Sequence, residues 1–379
     1  MKDQLEENDT GSAVHCWWRS AAKFDECAKM KPEIANLSNI SPTLRVLREL
    51  ERLALVAPEG LEELRHKLFA YRSGDFWLPT GGVKKEDMDI PPVITVLLVG
   101  FQNAGKSSLV NLMYSVLGRS GLIPFTRTSS GTATGYKALY MEEHNVLRSM
   151  RNGFCVFDTR GFDYERLAES NEELSKWMNR GVHHNQLCLR SGDNTLLSED
   201  EEIEIPLSRS LASKYAKRRV NCVMMVANVA EIHKALRASD MNPLEALNQL
   251  FHSAALRNCN DNPILILTHG DKLSTEDRID GRLKICEHLG ISETTGVYDI
   301  MCLTAYGFAT DEFDPVTAYA LTEAVYRGLL MSDRGHLPKK NLLDRALLVL
   351  SWFMCSVGAF FAFLARILSK LGRRDKLKL

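Results

Sequence analysis

The sequence predicts a doubly wound α/β domain with a mostly parallel sheet, a helical N-terminal extension and a C-terminal transmembrane helix. From Val93 onward, short apolar runs alternate with amphipathic helical patterns, which is typical of a parallel sheet covered on both faces. A continuous apolar segment further on has the length that spans a bilayer. We therefore predict a helical extension and linker over residues 1–90, the α/β domain over 91–335 and a membrane anchor over 342–369.

Composition is that of a globular protein with material for a sizeable core, since 45% of the 379 residues are hydrophobic and 25% are charged. The formal net charge is −1, so no nucleic-acid partner is expected. The nine cysteines are scattered without a C-x-x-C pair, which indicates reduced thiols in an intracellular protein. The polar, acidic N-terminus lacks the apolar region of a secretory signal.

Two amphipathic helices are predicted in the N-terminal extension. A Ser-Pro pair at 41–42 is suited to begin the first helix, and a break is expected at Pro58. Residues 73–92 are rich in Gly, Pro and charge, and we interpret them as a linker. The predicted apolar stripes are Leu44, Leu47, Leu50, Leu53 and Leu55, followed by Leu61, Leu64, Leu68 and Phe69.

Strand character recurs along the α/β domain. Segment 181–218 fits no strand of this sheet and carries an acidic run at 198–204, so we interpret it as a solvated insertion. The predicted strands are 93–99, 153–157, 220–226, 263–267 and 299–303, with a further strand near 136–140.

Residues 100–107 read Gly-Phe-Gln-Asn-Ala-Gly-Lys-Ser and match the phosphate-binding pattern G-x-x-x-x-G-K-[ST]. A predicted strand leads in and an amphipathic helix leads out; the alternative is a chance glycine-rich turn. In this motif, backbone amides face phosphate oxygens, Lys106 reaches the β- and γ-phosphates, and the Ser107 hydroxyl ligates Mg²⁺. The predicted phosphate contacts are Gly100, Gln102, Asn103, Ala104, Gly105, Lys106, Ser107 and Ser108.

Three further motifs follow predicted strands. They are Asp158-Thr-Arg-Gly161, then Thr268-His-Gly-Asp271, then Leu303-Thr-Ala305. With the phosphate-binding turn, their order resembles the Ras-like P-loop GTPase domain of the translation-factor class over about 93–310. Taken singly, each motif has an ordinary strand-ending turn as its alternative.

The resemblance implies GTP and Mg²⁺ as ligands. It implies that Asp158 holds Mg²⁺ through water and that the Gly161 amide senses the γ-phosphate. The Asp271 carboxylate would accept hydrogen bonds from guanine N1–H and N2–H₂, a donor pair that adenine lacks. His269 departs from the family, which usually has Lys there. The implied base contacts are Thr268, His269, Asp271, Thr304 and Ala305.

The family's Mg²⁺-ligating threonine should lie between the phosphate-binding helix and the next strand. Thr132 and Thr134 lie closest to that strand and are the predicted ligands, together with Ser107 and Asp158. The alternative is that this stretch, rich in Thr, Ser and Gly, is merely flexible. The full set of candidates is Thr126, Thr128, Thr132 and Thr134.

The chemistry of hydrolysis departs from the commonest form in the family. Phe162 occupies the position where many members have a Gln that orients the attacking water. This resembles the hydrophobic-substituted GTPases, several of which use an Asn at the position of Asn103 to bind K⁺ as a transition-state cation. We therefore predict Lys106 and Asn103 as catalytic residues and K⁺ as a candidate ion, with another residue or a partner as the alternative.

Residues 346–365 carry no charged side chain and lie between Arg345 and Arg366. We interpret them as a tail anchor with the GTPase domain in the cytosol; a buried core helix or a hydrophobic hairpin is the alternative. The basic tail favours the outer membrane of a mitochondrion, chloroplast or peroxisome over the endoplasmic reticulum. Gly358 and Ala362 form a small-xxx-small pair through which two anchors could pack in a homodimer, or are ordinary lipid-facing residues.

The leading functional interpretation is a GTP-binding protein that hydrolyses GTP to GDP and acts as a switch or assembly factor at a cytosol-facing membrane. One alternative is an ATP-binding P-loop ATPase, which Asp271 distinguishes. The other is a slow or inactive nucleotide-dependent module that recruits partners to a membrane, which a hydrolysis assay distinguishes.

Overall fold

The computed structural model describes residues 16–30, 40–79, 82–118, 126, 139–147, 153–190, 193, 216–257, 263–301, 314–339 and 342–375. They form two compact units. The larger unit groups the described residues up to Leu78 with Pro91–Gly335, and the smaller groups Pro79–Ile90 with the described residues from His336 onward.

The larger unit is built on a mixed, mostly parallel sheet. Its strands are β1 Ile94–Gly100, β2 Tyr140–His144, β3 Phe154–Asp158, β4 Gln186–Leu187, β5 Cys222–Asn228, β6 Ile264–Thr268 and β7 Val297–Asp299. Within the described residues the strand order is β4-β2-β3-β1-β5-β6-β7. The five strands from β3 to β7 in that order run parallel, and at one edge β2 pairs antiparallel with both β3 and β4.

Helices cover both faces of the sheet. Side chains of a strand alternate between faces, so Val96 and Leu98 of β1 enter one core while Leu97 and Val99 enter the other. The predicted doubly wound α/β fold is confirmed. The helices of this unit are α1 Phe24–Lys29, α2 Pro42–Ala70, α3 Lys106–Val116, α4 Leu167–Arg180, α5 Val229–Arg237, α6 Asn242–Phe251, α7 Ala254–Arg257, α8 Thr275–Leu289 and α9 Pro315–Arg334.

Helix α2 begins where the sequence predicts, and the Ser41 side chain accepts a hydrogen bond from Leu44 N. The predicted break at Pro58 is wrong, because α2 continues through it to Ala70. Proline removes one intrahelical hydrogen bond, but the buried face of α2 keeps its helical spacing across it, so packing holds the two halves as one helix. The buried residues flanking the proline are Leu53, Ala57 and Leu61.

Two residues of the predicted stripes are misplaced. Leu55 and Phe69 are exposed by 72% and 56%, because α2 turns them away from the face that packs against the sheet domain. Leu64 packs at the edge of the core, while the remaining members of both stripes are buried.

Two strands differ from their predicted positions. β2 shares only Tyr140 with the predicted run, most of which lies outside the described residues. β7 ends at Asp299, where the prediction begins, and Leu265 pairs with Val297 in the sheet. Asp299 is buried, and its carboxylate pairs with two arginines of α8.

The prediction that segment 181–218 contributes no strand is also wrong. β4 pairs with β2, with Leu187 opposite Tyr140. Cys188, Arg190 and Asp193 are buried rather than solvated. Polar side chains in this segment favour a prediction of solvent exposure. Their charges are instead buried and compensated by other parts of the domain. The acidic run 198–204 lies outside the described residues.

The smaller unit contains helix α10, Leu342–Asp375. Its Ala346–Arg366 portion has a mean hydropathy of 2.2, is 0% buried, and is long and apolar enough to cross a membrane. Before this helix, the chain pairs with the other part of the unit, where Asp89 N donates to Leu337 O at 2.8 Å and Lys339 N donates to Asp87 O at 2.7 Å.

Candidate functional site

Residues 100–107, here called the cradle, form a tight turn between β1 and α3. A Cβ added to Gly100 would lie 2.2 Å from Val226 O of the neighbouring strand, so only glycine fits. Gly105 caps α3 with a φ of 86°, and Asn103 also has a positive φ of 58°. This backbone and the N-terminus of α3 together form the concavity that binds anions in P-loop proteins.

The Lys106 side chain folds back over the cradle. Its Nζ donates to Gly100 O at 3.2 Å and to Phe101 O at 3.0 Å. Burial lowers the pKa of Lys106 to about 8, against the opposing effect of the Asp158 charge. The ammonium is therefore held at the floor of the turn, where an incoming phosphate would compensate its lost hydration.

Ser107 and Asp158 meet at the carboxyl end of β3. Ser107 Oγ donates to Asp158 Oδ2 at 2.6 Å. Burial raises the pKa of Asp158 above its ordinary value. The other carboxylate oxygen, Oδ1, is buried and has no hydrogen-bond partner among the described residues. A hydroxyl and an unsatisfied carboxylate oxygen are the hard donors that suit Mg²⁺, directly or through water, so the residues fit this ion.

The turn after Asp158 lies directly against the cradle. Phe162 N donates to Gly100 O at 3.0 Å, and Gln102 N donates to Phe162 O at 2.8 Å. A Cβ added to Gly161 would lie 2.7 Å from Gln102 Cα, so this position requires glycine. The Phe162 ring is fully buried and stacks on Trp177 with the ring centroids 5.6 Å apart, so it cannot orient water.

The loop after β6 approaches the cradle from the other side. Thr268 Oγ1 donates to Ala104 O at 2.8 Å. His269 adopts a φ of 59° and its Nδ1 lies 2.9 Å from Thr268 Oγ1. Burial lowers the pKa of His269, so the ring is neutral at pH 7. Asp271 is exposed and its carboxylate is open to a ligand.

Arg278 supports this loop, a feature that the sequence analysis missed. A Cβ on Gly270 would lie 2.4 Å from Arg278 Nε, and the same Nε donates to Asp299 Oδ1 at 3.0 Å. The guanidinium carbon lies 3.9 Å from the ring centroid of Trp17, which comes from the N-terminal extension. Arg282 also contacts Asp299, at 3.2 Å. No sequence pattern distinguishes an arginine that supports a loop in this way from any other arginine in a helix.

Residues of the insertion 181–218 form hydrogen bonds with the turn after Asp158, on the phosphate side of the cradle. The sequence did not predict these contacts. Arg190 Nη1 donates to Gly161 O at 2.6 Å, and Arg190 Nε donates to Glu173 Oε2 at 2.8 Å. Arg160 Nη2 donates to Asp193 Oδ1 at 2.8 Å. Both arginines are buried.

The other predicted residues fall in three places. Ser108 lies in the first turn of α3, and Asn103 is exposed at the cradle tip. Thr126 Oγ1 lies 2.8 Å from Ser107 O, so this threonine packs on α3. Thr128, Thr132, Thr134, Thr304 and Ala305 lie outside the described residues. Within the described residues no three His, Cys, Asp or Glu side chains cluster to hold a metal ion.

No protein-family model and no curated protein matches the chain. Solved structures do resemble it. A dimerization-deficient mutant of Toc33 from Arabidopsis thaliana is 16% identical over 71% of this chain and 93% of that chain, with a TM-score of 0.34. The signal recognition particle receptor SRb–GTP/SRX complex from Chaetomium thermophilum is 14% identical over 55% of this chain and 92% of that chain, with a TM-score of 0.24. With scores this low, the functional inference rests on the site's own geometry.

Proposed function

We propose that the chain binds GTP with Mg²⁺ on the cradle, hydrolyses it to GDP and acts as a nucleotide-dependent switch at a membrane. The observation that carries the proposal is that the carboxyl ends of three strands, β1, β3 and β6, meet at the cradle. Asp158 reaches the cradle through Ser107, and Thr268 reaches it through Ala104. Ligands of open parallel sheets bind at this carboxyl edge.

Each side of the cradle would recognise a different part of the nucleotide. Lys106 and the cradle amides would hold the phosphates, and Asp271 would accept hydrogen bonds from the guanine edge. Ser107 and Asp158 would hold Mg²⁺, which supplies positive charge against the β- and γ-phosphates. Thr132 and Thr134 are proposed as further Mg²⁺ ligands, and Thr304 and Ala305 as further base contacts.

Nucleotide binding by the full-length chain in detergent micelles tests the guanine assignment. The wild type should bind GTP in preference to ATP, and Asp271→Asn should weaken GTP binding by about 30-fold or more while XTP binding improves, because one charged acceptor is lost. Asp280→Asn, on the exposed face of α8, is the matched control and should leave the preference unchanged. Equal affinities of the wild type for ATP and GTP would exclude the guanine assignment.

The buried Phe162 favours a second candidate, a module that binds GTP and recruits partners without appreciable hydrolysis. The usual water-orienting side chain is absent from that position, so a K⁺ ion near Asn103, another residue or a partner must act in its place. Single-turnover hydrolysis by the full-length chain separates the two. Conversion of bound GTP to GDP within minutes supports the enzyme, and GTP that stays intact over hours supports the recruitment module.

We further propose that α10 anchors the protein in a membrane with the nucleotide domain in the cytosol, at the outer membrane of a mitochondrion, chloroplast or peroxisome. The length and hydropathy of Ala346–Arg366, of which 0% is buried, support the anchor. Introducing Phe353→Arg and Phe360→Arg together should abolish flotation with vesicles, since each charge costs about 2.5–3.5 kcal/mol at a helix centre. Retained flotation would contradict the anchor. A Cβ added to Gly358 would meet no atom within 4 Å apart from the helix's own nearby backbone, so this position could accept a second helix in a homodimer.

A further inference from the structure

Arg190 joins the insertion to the turn that is proposed to sense the γ-phosphate. Its side chain is 5% exposed and makes hydrogen bonds with two consecutive carbonyl groups of that turn. Nη1 lies 2.6 Å from Gly161 O and Nη2 lies 3.4 Å from Arg160 O. Glu173 of α4 holds the guanidinium from behind, with Nε to Oε2 at 2.8 Å. The guanidinium is therefore fixed on both sides.

The geometry of these contacts sets the direction of the Gly161 amide. In a trans peptide the C=O and N–H groups point to opposite sides. Because the Arg160 carbonyl points at Arg190, the N–H of the same peptide, which belongs to Gly161, points away from Arg190. A Cβ on Gly161 would lie 2.7 Å from Gln102 Cα and 3.0 Å from Lys106 Nζ, so the residue sits against the cradle.

A second ion pair holds the segment that carries Arg190. Asp193 accepts from Arg160 Nη2 at 2.8 Å and from the backbone N of Arg190 at 2.7 Å. Arg160 also donates to Cys188 O at 2.8 Å. The turn and the insertion thus exchange buried, charge-assisted hydrogen bonds in both directions, which are stronger than neutral ones. Movement of one segment must break contacts of the other.

We propose that Arg190 is a positioning residue that holds the Gly161 amide toward the nucleotide and thereby sets the preference for triphosphate over diphosphate. This inference rests on nucleotide binding at the cradle, but not on the identity of the base. The guanidinium also polarises the peptides it holds, which makes their N–H groups better donors to an anion. GDP has no γ-phosphate, so its binding does not use this amide.

The test compares triphosphate and diphosphate affinities of the full-length chain in detergent micelles with Mg²⁺. Dissociation constants are measured for β,γ-imido-GTP and GDP. Arg190→Gln should weaken binding of the triphosphate by about fivefold or more and leave GDP within about twofold. Arg190→Lys keeps the charge but cannot span both carbonyls and Glu173, so it should behave like Arg190→Gln.

Arg218→Gln is the matched control. Arg218 lies at the other end of the same insertion, and its guanidinium pairs with Glu143 of β2 at 2.7 Å rather than with the carbonyl groups of the turn. Its loss should leave the ratio of the two affinities unchanged. Thermal unfolding is measured for every variant, because a purely structural role of Arg190 would lower the unfolding temperature without changing the ratio. If Arg190→Gln does not fold, Glu173→Gln, which removes the carboxylate support of Arg190 and keeps its guanidinium, should shift the ratio in the same direction.

Two results would overturn the inference: an unchanged ratio in folded Arg190→Gln, including an equal loss of both affinities, or a folded Glu173→Gln with the wild-type ratio where Arg190→Gln fails to fold. Wild-type binding of ATP in place of GTP would reject the guanine assignment alone, and the ratio is then measured with β,γ-imido-ATP and ADP. A wild type that binds no nucleoside triphosphate would overturn both proposals.

Discussion

The two sides of the cradle are supported by different, distant parts of the chain. On the phosphate side, Arg190 of the insertion holds the turn that ends in Gly161. On the base side, Arg278 of α8 supports the loop at Gly270 and is covered in turn by Trp17 of the N-terminal extension. In both cases a buried arginine connects a segment outside the central fold to a loop of the candidate site.

Because their supports differ, the phosphate side and the base side of the cradle can be perturbed separately by substitutions. The contacts of Arg190 lie around the turn after β3, and those of Arg278 lie at the ends of β6 and β7. The sequence alone assigns no role in the site to the N-terminal helices or to the insertion. The structure gives each a contact with one side of the site, so changes in each should affect a different property of nucleotide binding.

The largest effect is expected at the Mg²⁺ position on the phosphate side. Ser107→Ala should weaken binding of GTP in Mg²⁺ by about 100-fold, because a metal ligand is lost, while wild type and variant should bind similarly weakly in EDTA. The measurement is GTP affinity with and without Mg²⁺. Asp271→Asn, assayed with XTP, is the base-side control and should keep its dependence on Mg²⁺. Unaltered Mg²⁺ dependence in Ser107→Ala would contradict the assigned ion position.

On the base side, Arg278→Gln should weaken GTP and GDP binding equally, by about tenfold, because the loop carrying Asp271 loses a charged support. Trp17→Ala should act in the same direction by about threefold, the value of a cation–π contact. Affinity titrations with both nucleotides measure this. Arg237→Gln, which removes an exposed pair with Asp277 at 3.2 Å, is the control. A change in the GTP-to-GDP ratio would show that the two sides are not separable.

The cation hypothesis concerns the tip of the cradle. If K⁺ near Asn103 offsets transition-state charge worth about 1 kcal/mol, single-turnover hydrolysis should be about fivefold faster in KCl than in NaCl. Asn103→Ala should remove the difference while nucleotide affinity changes little, since this side chain is exposed. Equal wild-type rates in the two salts would reject K⁺ as a participant.

The last effect is a modest pH dependence on the phosphate side. The pKa of Lys106 is lowered to about 8 by burial, so the free protein loses this proton as pH rises, while phosphate binding requires the ammonium. GTP affinity should fall about fourfold from pH 6.5 to pH 8.5. The stability of the nucleotide-free protein should rise between about pH 8 and pH 10.4, because the unfolded lysine retains its proton longer. Arg278→Gln should show the same profile.

The sequence predicts the parts of the site that obey local rules. The cradle needs glycines at particular positions, and Gly100 and Gly105 occur where close approach and a positive φ demand them. Strand-ending Asp158 and Thr268 follow apolar runs that could only be buried strands. The prediction placed these residues correctly because parallel topology brings strand ends to one edge.

The errors occur where long-range packing overrides a local signal. A proline predicts a helix break at Pro58, but the continuous buried face of α2 carries the helix through it. Charged residues predict solvent exposure at Arg190 and Asp193, but these charges are paired inside the domain.

The sequence by itself therefore determined the α/β fold, the cradle and the order of its neighbouring loops, because periodicity and glycine geometry are local properties. Only the tertiary structure decided which distant segments support each side of the site. Arg190 and Arg278 lie in polar stretches whose local pattern is the same whether they face water or a partner. Their roles depend on carbonyl and carboxylate groups that folding brings together. A buried charge must be compensated by neighbouring groups, and these neighbours are set by the three-dimensional structure.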